Sequence, residues 1–330
     1  MHAIRLHAFG PAENLTYEEV ADPVPGPGQV RVRVTASGVH LLDTALRRGE
    51  RTGPVHQPAE LPTVPGREVA GTVDALGEGT DPGWLGRRVV AHLGMVPGGY
   101  AELAVTDAGR LHALPDHVGE AEAVAMIGTG RTTLGILQFT ELGPDSIAIV
   151  PAAAGGIGTL LVQYAKNAGA TVIGLAGGEA KTARVKENGA DLAVDYTAPD
   201  WAQQVAAYLD GRGRRATVVF DSVGGATARA AVDLLGEGGE HLVFGWSGGE
   251  ELAFTEEEVT ARGITSRSVL GPVMIEKAGG DIRNLELAAL AAVSSGTLRP
   301  AVHRFPLAEA AAAHRALETR GTTGKVVLVP

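Results

Sequence analysis

The chain has 330 residues, a formal charge of −10, 45% hydrophobic and 20% charged residues, and no cysteine. That length favours two domains over one, and the composition is globular rather than disordered. The acidic balance argues against a general nucleic-acid surface, no apolar run reaches membrane-spanning length, and the lack of thiols excludes disulfides, cysteine nucleophiles and thiolate zinc sites.

The amino terminus, MHAIRLHAFG, has neither signal- nor transit-peptide character, which points to a cytoplasmic protein. QVRVRVTASGV (29–39) alternates valine with polar residues, as a half-buried strand does. Strand-like runs follow at 69–76 and 87–93, separated by turn-forming segments such as DPVPGPG (22–28) and DPGWLG (81–86). A β-rich domain is therefore expected over 1–120. From residue 121 the apolar runs SIAIV, TVIGLA, LAVD, ATVVFD, HLVFG and ITSRSVL recur, with helical patterns between several of them. Such alternation predicts an α/β domain over 121–268, a Rossmann-type doubly wound parallel sheet, since six units are too few for an eight-stranded barrel. An Ala-rich helix (281–295), a second helix (306–317) and a closing strand, KVVLVP, remain. That strand has no neighbour in sequence to pair with, so 269–330 is expected to return to the β-rich domain. The ten histidines are scattered without an HExxH-type pair, and no metal site is predicted.

SIAIVPAAAGGIGTLLVQYAKNAG places a small-residue turn between a strand and a helix, the context that gives a glycine pattern meaning. Ala153, Gly155, Gly156, Ile157 and Gly158 form the predicted cradle. Gly155 lets the backbone approach a pyrophosphate, Gly158 lets the helix pack on the strand, and the helix N-terminus supplies N–H groups. Ala153 stands where the first glycine of GxGxxG would be. At the end of the next strand, where a carboxylate would bind the ribose hydroxyls of NAD, the chain has Leu175, Ala176, Gly177 and Gly178. Lys181 and Tyr196 are placed to reach a 2′-phosphate instead, with Arg184 a further basic neighbour. The cofactor expected from these residues is NADPH.

With these motifs in place, the whole chain resembles the zinc-free quinone oxidoreductase (zeta-crystallin-like) branch of the medium-chain dehydrogenase/reductase superfamily. The resemblance is carried by GQVRVRVTASGVHLLDTALRRG, GREVAGTVDALGEG, GGYAEL, GRTTLGIL, AAAGGIG, NGAD followed by Tyr196, FDSVGG, FGWSGG and RGTTGKVVLVP, in that order. It implies a GroES-like catalytic domain and a Rossmann domain, with nicotinamide and substrate in the cleft between them, and a homodimer. Zinc alcohol dehydrogenases of the superfamily place a cysteine ligand soon after the SGV-like strand and a histidine in a GHE motif. Here His40 follows SGV, Arg67 replaces that histidine in GREVAG, and the cysteine-rich lobe is absent between Leu93 and Tyr100. Zinc would lack its usual ligands.

Without a Lewis acid the accessible acceptors are conjugated ones, a quinone or an α,β-unsaturated carbonyl, in which hydride lands on carbon and charge spreads to a distant oxygen. The resemblance assigns catalytic candidates by position: His40 where the branch often has Asn in GVNxxD, Asp43 at the Asp of that pattern, and Thr132 near the nicotinamide carboxamide, with Thr133 the adjacent alternative. His40 would orient the acceptor oxygen, protonate the enolate, or merely pack beside the ribose. Ser222, Phe244 and Gly245 are expected to line the cofactor at strand ends, and Arg320 is either a late contact to the adenosine phosphate or a surface ion pair. Two other functions share the pattern. A stand-alone enoyl-thioester reductase would use Arg47, Arg48 and Arg51 as a basic rim, and a non-catalytic NADPH-binding sensor or structural protein would bind without turnover.

Overall fold

Val30, Val32 and Val34 are buried along Gln29–Val39, whereas Arg31 and Arg33 turn outward to share Asp74 on the neighbouring strand. The alternation read from the sequence therefore faces one core. The computed structural model describes residues 1–51 and 59–330, which form two units: Met1–Thr129 with Pro300–Pro330, and Gly130–Arg299.

In the first unit Gln29–Val39 is the hub of a seven-stranded sheet. Glu68–Leu76 and Leu103–Asp107 pair with it antiparallel, as does Lys325–Val329 through Val326↔Val39 and Leu328↔Ser37. Arg88–His92 and Leu111–Ala113 extend one side, and Val302–Pro306 lies parallel to the last strand. A separate hairpin joins His2–Leu6 to Leu15–Glu19.

The second unit is a six-stranded parallel sheet in the order Leu192–Asp195, Thr171–Ala176, Ile147–Val150, Ala216–Asp221, Leu235–Val243, Thr265–Ser268. In chain order that is 3-2-1-4-5-6, the doubly wound Rossmann topology. Its inner strands are apolar throughout because both faces are covered. Ala148, Val150, Val172 and Phe220 pack with Leu161 and Ala165 on one side, and Ile147, Ile149, Ile173 and Val219 with Trp201, Val205 and Leu209 on the other.

The unit boundaries fall later than the sequence suggests, at 129/130 and 299/300 instead of 120/121 and 268/269. Helix Glu120–Ala125 packs on Gln29–Val39 and Glu68–Leu76, which keeps it with the first unit. Helices Pro272–Lys277 and Ile282–Ser294 pack on Arg131–Leu137, and the segment after them is tied to the second unit where Gln163 bonds both backbone groups of Arg299. Among the described residues no helix is long and apolar enough to cross a membrane.

Candidate active site

The glycine turn runs from Ile147–Val150 through Pro151–Gly155 into helix Gly156–Asn167. Ala152 adopts φ 50°, and its carbonyl accepts from Gly155 N–H. A side chain on Gly158 would collide with that carbonyl and with the Ala153 Cα. Gly158 is thus the close-packing glycine, and Gly155, Gly156 and Ile157 stay partly exposed at the helix start, where the N–H groups of Gly156 and Ile157 have no carbonyl one turn earlier. Ala153 behaves differently from a ligand-side residue. It is fully buried, with its N–H bonded to Leu175 O, so it holds the turn against the sheet. Gly158→Ala is expected to cost about 1–3 kcal/mol of overpacking. An unchanged urea midpoint would rule out this account of the turn.

Val194 pairs with Leu175 and Asp195 with Ala176, so the ends of the second and third strands lie side by side. Tyr196 leaves one and Gly177–Gly178 the other, with Lys181 the third residue of helix Glu179–Glu187. The carboxylate sequence reading passed over here is Asp195. Hydrogen bonds from Thr197 and the Gly178 N–H hold it below the usual carboxylate range, which commits it to fixing the loop. Asp221 does the same after the fourth strand: buried, it accepts from the N–H groups of Val223 and Gly224 and from His241 Nε2 at 3.2 Å. Phe244 N–H donates to Asp221 O and Ser247 N–H to Ser222 O, which brings Ser222, Phe244 and Gly245 together beside the point where strand order reverses. Thr132 begins helix Arg131–Leu137 half-buried, whereas Thr133 is fully buried.

In the first unit His40 is the N-cap of helix Leu41–Arg47. Its N–H donates to Asp43 Oδ2 at 2.8 Å, and Tyr100 OH donates to the same oxygen at 2.9 Å. Asp43 is buried, and these two bonds tie it to the helix start. It is a positioning residue. The His40 ring, with 30% of its side chain exposed, brings Nε2 to 2.5 Å from Glu68 Oε1. Lys325 Nζ lies 2.8 Å from both His40 Nε2 and Glu68 Oε2. Burial would push the Glu68 carboxyl up, but His40 and Lys325 outweigh it and hold Glu68 well below the usual range. A Cβ on Gly128 would overlap the Glu68 carboxylate, so the backbone is shaped around this group. Glu68 and Lys325 were missed in the sequence. Their signals were the acidic residue kept in GREVAG and the lysine of RGTTGKVVLVP.

Arg320 sits in this unit, at φ 57° just beyond helix Ala310–Glu318, whereas Lys181 and Tyr196 belong to the other. Arg47 and Arg48 both converge on Glu318 Oε1 at 2.6 Å, and Arg48 also pairs with Glu50 Oε1 at 2.6 Å, so two of the three arginines of a basic rim are balanced by two carboxylates. Behind Asp43, the Tyr100 hydroxyl also meets His314 Nε2 at 3.2 Å, and burial lowers the His314 pKa to about 4. An unfolded histidine takes its proton near 6.5. As pH falls from 6.5 towards 4 the unfolded state therefore binds more protons, and the fold should lose about 3 kcal/mol. His314→Gln is expected to flatten stability against pH between 6.5 and 5. Parallel curves for the two proteins in urea would refute the assignment.

Residues 26–116 match the profile described as alcohol dehydrogenase GroES-like domain, and residues 156–284 the one described as zinc-binding dehydrogenase. Relatives include a 2-haloacrylate reductase of Burkholderia sp, 32% identical with 98% of each chain covered, and a quinone oxidoreductase of Pseudomonas aeruginosa, 32% identical with 99% of each covered. Among solved structures, Escherichia coli quinone oxidoreductase complexed with NADPH superposes with a TM-score of 0.85 at 28% identity, with 100% of both chains covered. The zinc implied by one description does not fit the residues present. The chain has no thiolate, and the Lys325 ammonium already contacts both His40 and Glu68, where it would repel a divalent cation. The arrangement suits proton transfer from an imidazole backed by a buried carboxylate.

Proposed function

Because the chain belongs to the zinc-free quinone oxidoreductase branch of the medium-chain dehydrogenase/reductase superfamily and is an NADPH-dependent oxidoreductase, we propose that it reduces quinones or α,β-unsaturated carbonyl compounds, with His40 as proton donor. The observation that carries this is the His40–Glu68–Lys325 cluster. With Nε2–H turned to the Glu68 carboxylate, Nδ1 becomes the ring nitrogen that gains and loses a proton, and the ring is the partly exposed member of the cluster. Lys325 balances the buried Glu68 charge, and Asp43 sets the backbone from which the ring projects.

When bound, NADPH supplies a hydride from its nicotinamide to the acceptor carbon. The N–H groups of Gly156 and Ile157 would meet its pyrophosphate, with Gly155 leaving room for it to approach, Lys181 and Tyr196 its 2′-phosphate, and Ser222, Phe244, Gly245 and Thr132 its nicotinamide half. His40 delivers the proton to the oxygen or carbon that gains charge. The names of the relatives support both acceptor classes. The neutralised Arg47 and Arg48 favour a small acceptor over a carrier-bound thioester. The outer strand Thr265–Ser268 pairs on Leu235–Val243 alone among the described strands, which supports a homodimer built along that edge; light scattering that gives a monomer mass would dismiss it.

The test is the rate of NADPH oxidation by metal-stripped protein with a quinone, a simple enone and an enoyl thioester in parallel, and NADH as control. Turnover of the quinone or enone is expected. Tight NADPH binding with all three acceptors unreduced would support a binding protein instead.

A further inference from the structure

Arg67 stands next to Glu68 in the chain but faces the other way, into a cavity of about 70 Å³ within the first unit. Its walls are largely apolar, among them Leu6, Phe9, Leu46 and Met95, with Asp43 at one side. By the same measure a single water needs about 10–15 Å³, so the space admits a small organic group.

The Arg67 side chain is 11% exposed, yet among the described residues its donors meet no oxygen within hydrogen-bond range. Nε is buried and has no hydrogen-bond partner among the described residues, Nη1 reaches only Met95 Sδ at 3.8 Å, and Nη2 lies 3.9 Å from Asp43 Oδ1, beyond hydrogen-bond range. A guanidinium carries five N–H donors in a planar fork, and buried donors of this kind are ordinarily paired. Arg47, which also lines the cavity, is different: its donors go to Glu318 and Gly10 O. Asp43 leaves the site formally neutral with Arg67, but its Oδ2 is taken by His40 N–H and Tyr100 OH. The attraction for a ligand is therefore the empty fork rather than net charge.

We propose that Arg67 binds a carboxylate on the acceptor, so that the substrates are α,β-unsaturated compounds carrying an acid group. This rests on the reductase reading above. Asp43 joins the two parts of the site, since its oxygens face both the His40 N–H and the Arg67 guanidinium. An acceptor held by its carboxylate on Arg67 would extend from the cavity past Asp43 towards His40. Its β-carbon takes hydride from NADPH, which is oxidised to NADP+, and its α-carbon takes the proton from His40 as the carbon–carbon π bond is lost. A free carboxylate withdraws electrons poorly because it is already charged. Bidentate pairing to a guanidinium lets it share the negative charge that develops.

The experiment compares acetylacrylate with its methyl ester as acceptors for the wild type, Arg67→Lys and Arg67→Met, and measures binding of the unreactive saturated acid levulinate to the NADP+ complex by calorimetry. The acid is expected to be preferred by the wild type. The acid-to-ester ratio of kcat/KM should fall on the order of 30- to 100-fold in Arg67→Met, and by less in Arg67→Lys, which keeps the charge but not the fork. Levulinate should bind the wild type and be lost in Arg67→Met. A ratio unchanged in Arg67→Met, or no levulinate binding to the wild type, overturns the proposal even if both activities drop together. Levulinate binding that depends on Arg67, with neither acceptor reduced, upholds the carboxylate site and overturns the reductase reading.

Discussion

Glu68→Gln is expected to cost about 3–5 kcal/mol of folding stability, because it leaves the Lys325 ammonium buried without its counter-charge. Turnover should fall with it by about 100-fold or more, the usual range for disabling acid–base catalysis, since a neutral amide no longer supports a charged His40 ring. Stability loss alone does not separate an ion pair from a packing defect, so the informative protein is Glu68→Gln combined with Lys325→Met. Removing both charges together should restore much of the stability, whereas simple addition of the two losses in urea denaturation would show that the pair is not the cause. The pH dependence has a definite sign. The Glu68 carboxyl is depressed in the folded state, so its contribution is complete above the unfolded value of about 4.5 and is lost as pH falls below it. The buried His314 acts at higher pH, between 6.5 and 4, so a wild-type profile measured from pH 7 downward should show the His314 loss first.

What the sequence reveals follows from how local each signal is. The Rossmann sheet is legible because each strand carries its own apolar run, and the turn because Ala152 to Gly158 are neighbours in the chain. The unit boundaries are not, since nothing within EAEAVA states which core the helix will cover. Glu68 and Lys325 meet from distant parts of the chain, brought together by pairing of both their strands with Gln29–Val39. No local pattern announces such a meeting. Asp43 carries two signals at once. Its place in a family pattern suggests chemistry, and its position three residues after His40 is also that of a capping residue at a helix start, which the bond to His40 N–H shows it to be. Ala153 is the same lesson in the turn: its position in the glycine pattern suggested ligand contact, and its burial assigns it to support.

The preference for NADPH over NADH should fall by about 10- to 100-fold in Lys181→Ala, since one hydrogen bond to a charged phosphate is worth about 1.5–3 kcal/mol and each 1.4 kcal/mol is a factor of ten. The loss should appear chiefly in KM for NADPH. The argument depends on what stands at the ends of two adjacent strands: Ala176, Gly177 and Gly178 carry no acid, and Asp195 is held by Thr197 and the Gly178 N–H rather than offered to a ribose. Gly177 leaves room for a side chain, because a Cβ there would meet only Thr197 Cγ2, at 3.4 Å, an ordinary van der Waals contact. Gly177→Asp together with Lys181→Ala should therefore invert the preference: the new carboxylate repels a 2′-phosphate and accepts from ribose hydroxyls instead. Kinetics with both nucleotides at fixed acceptor decide the matter. If the double variant still favours NADPH as strongly as the wild type, the discrimination is made elsewhere than at this strand edge.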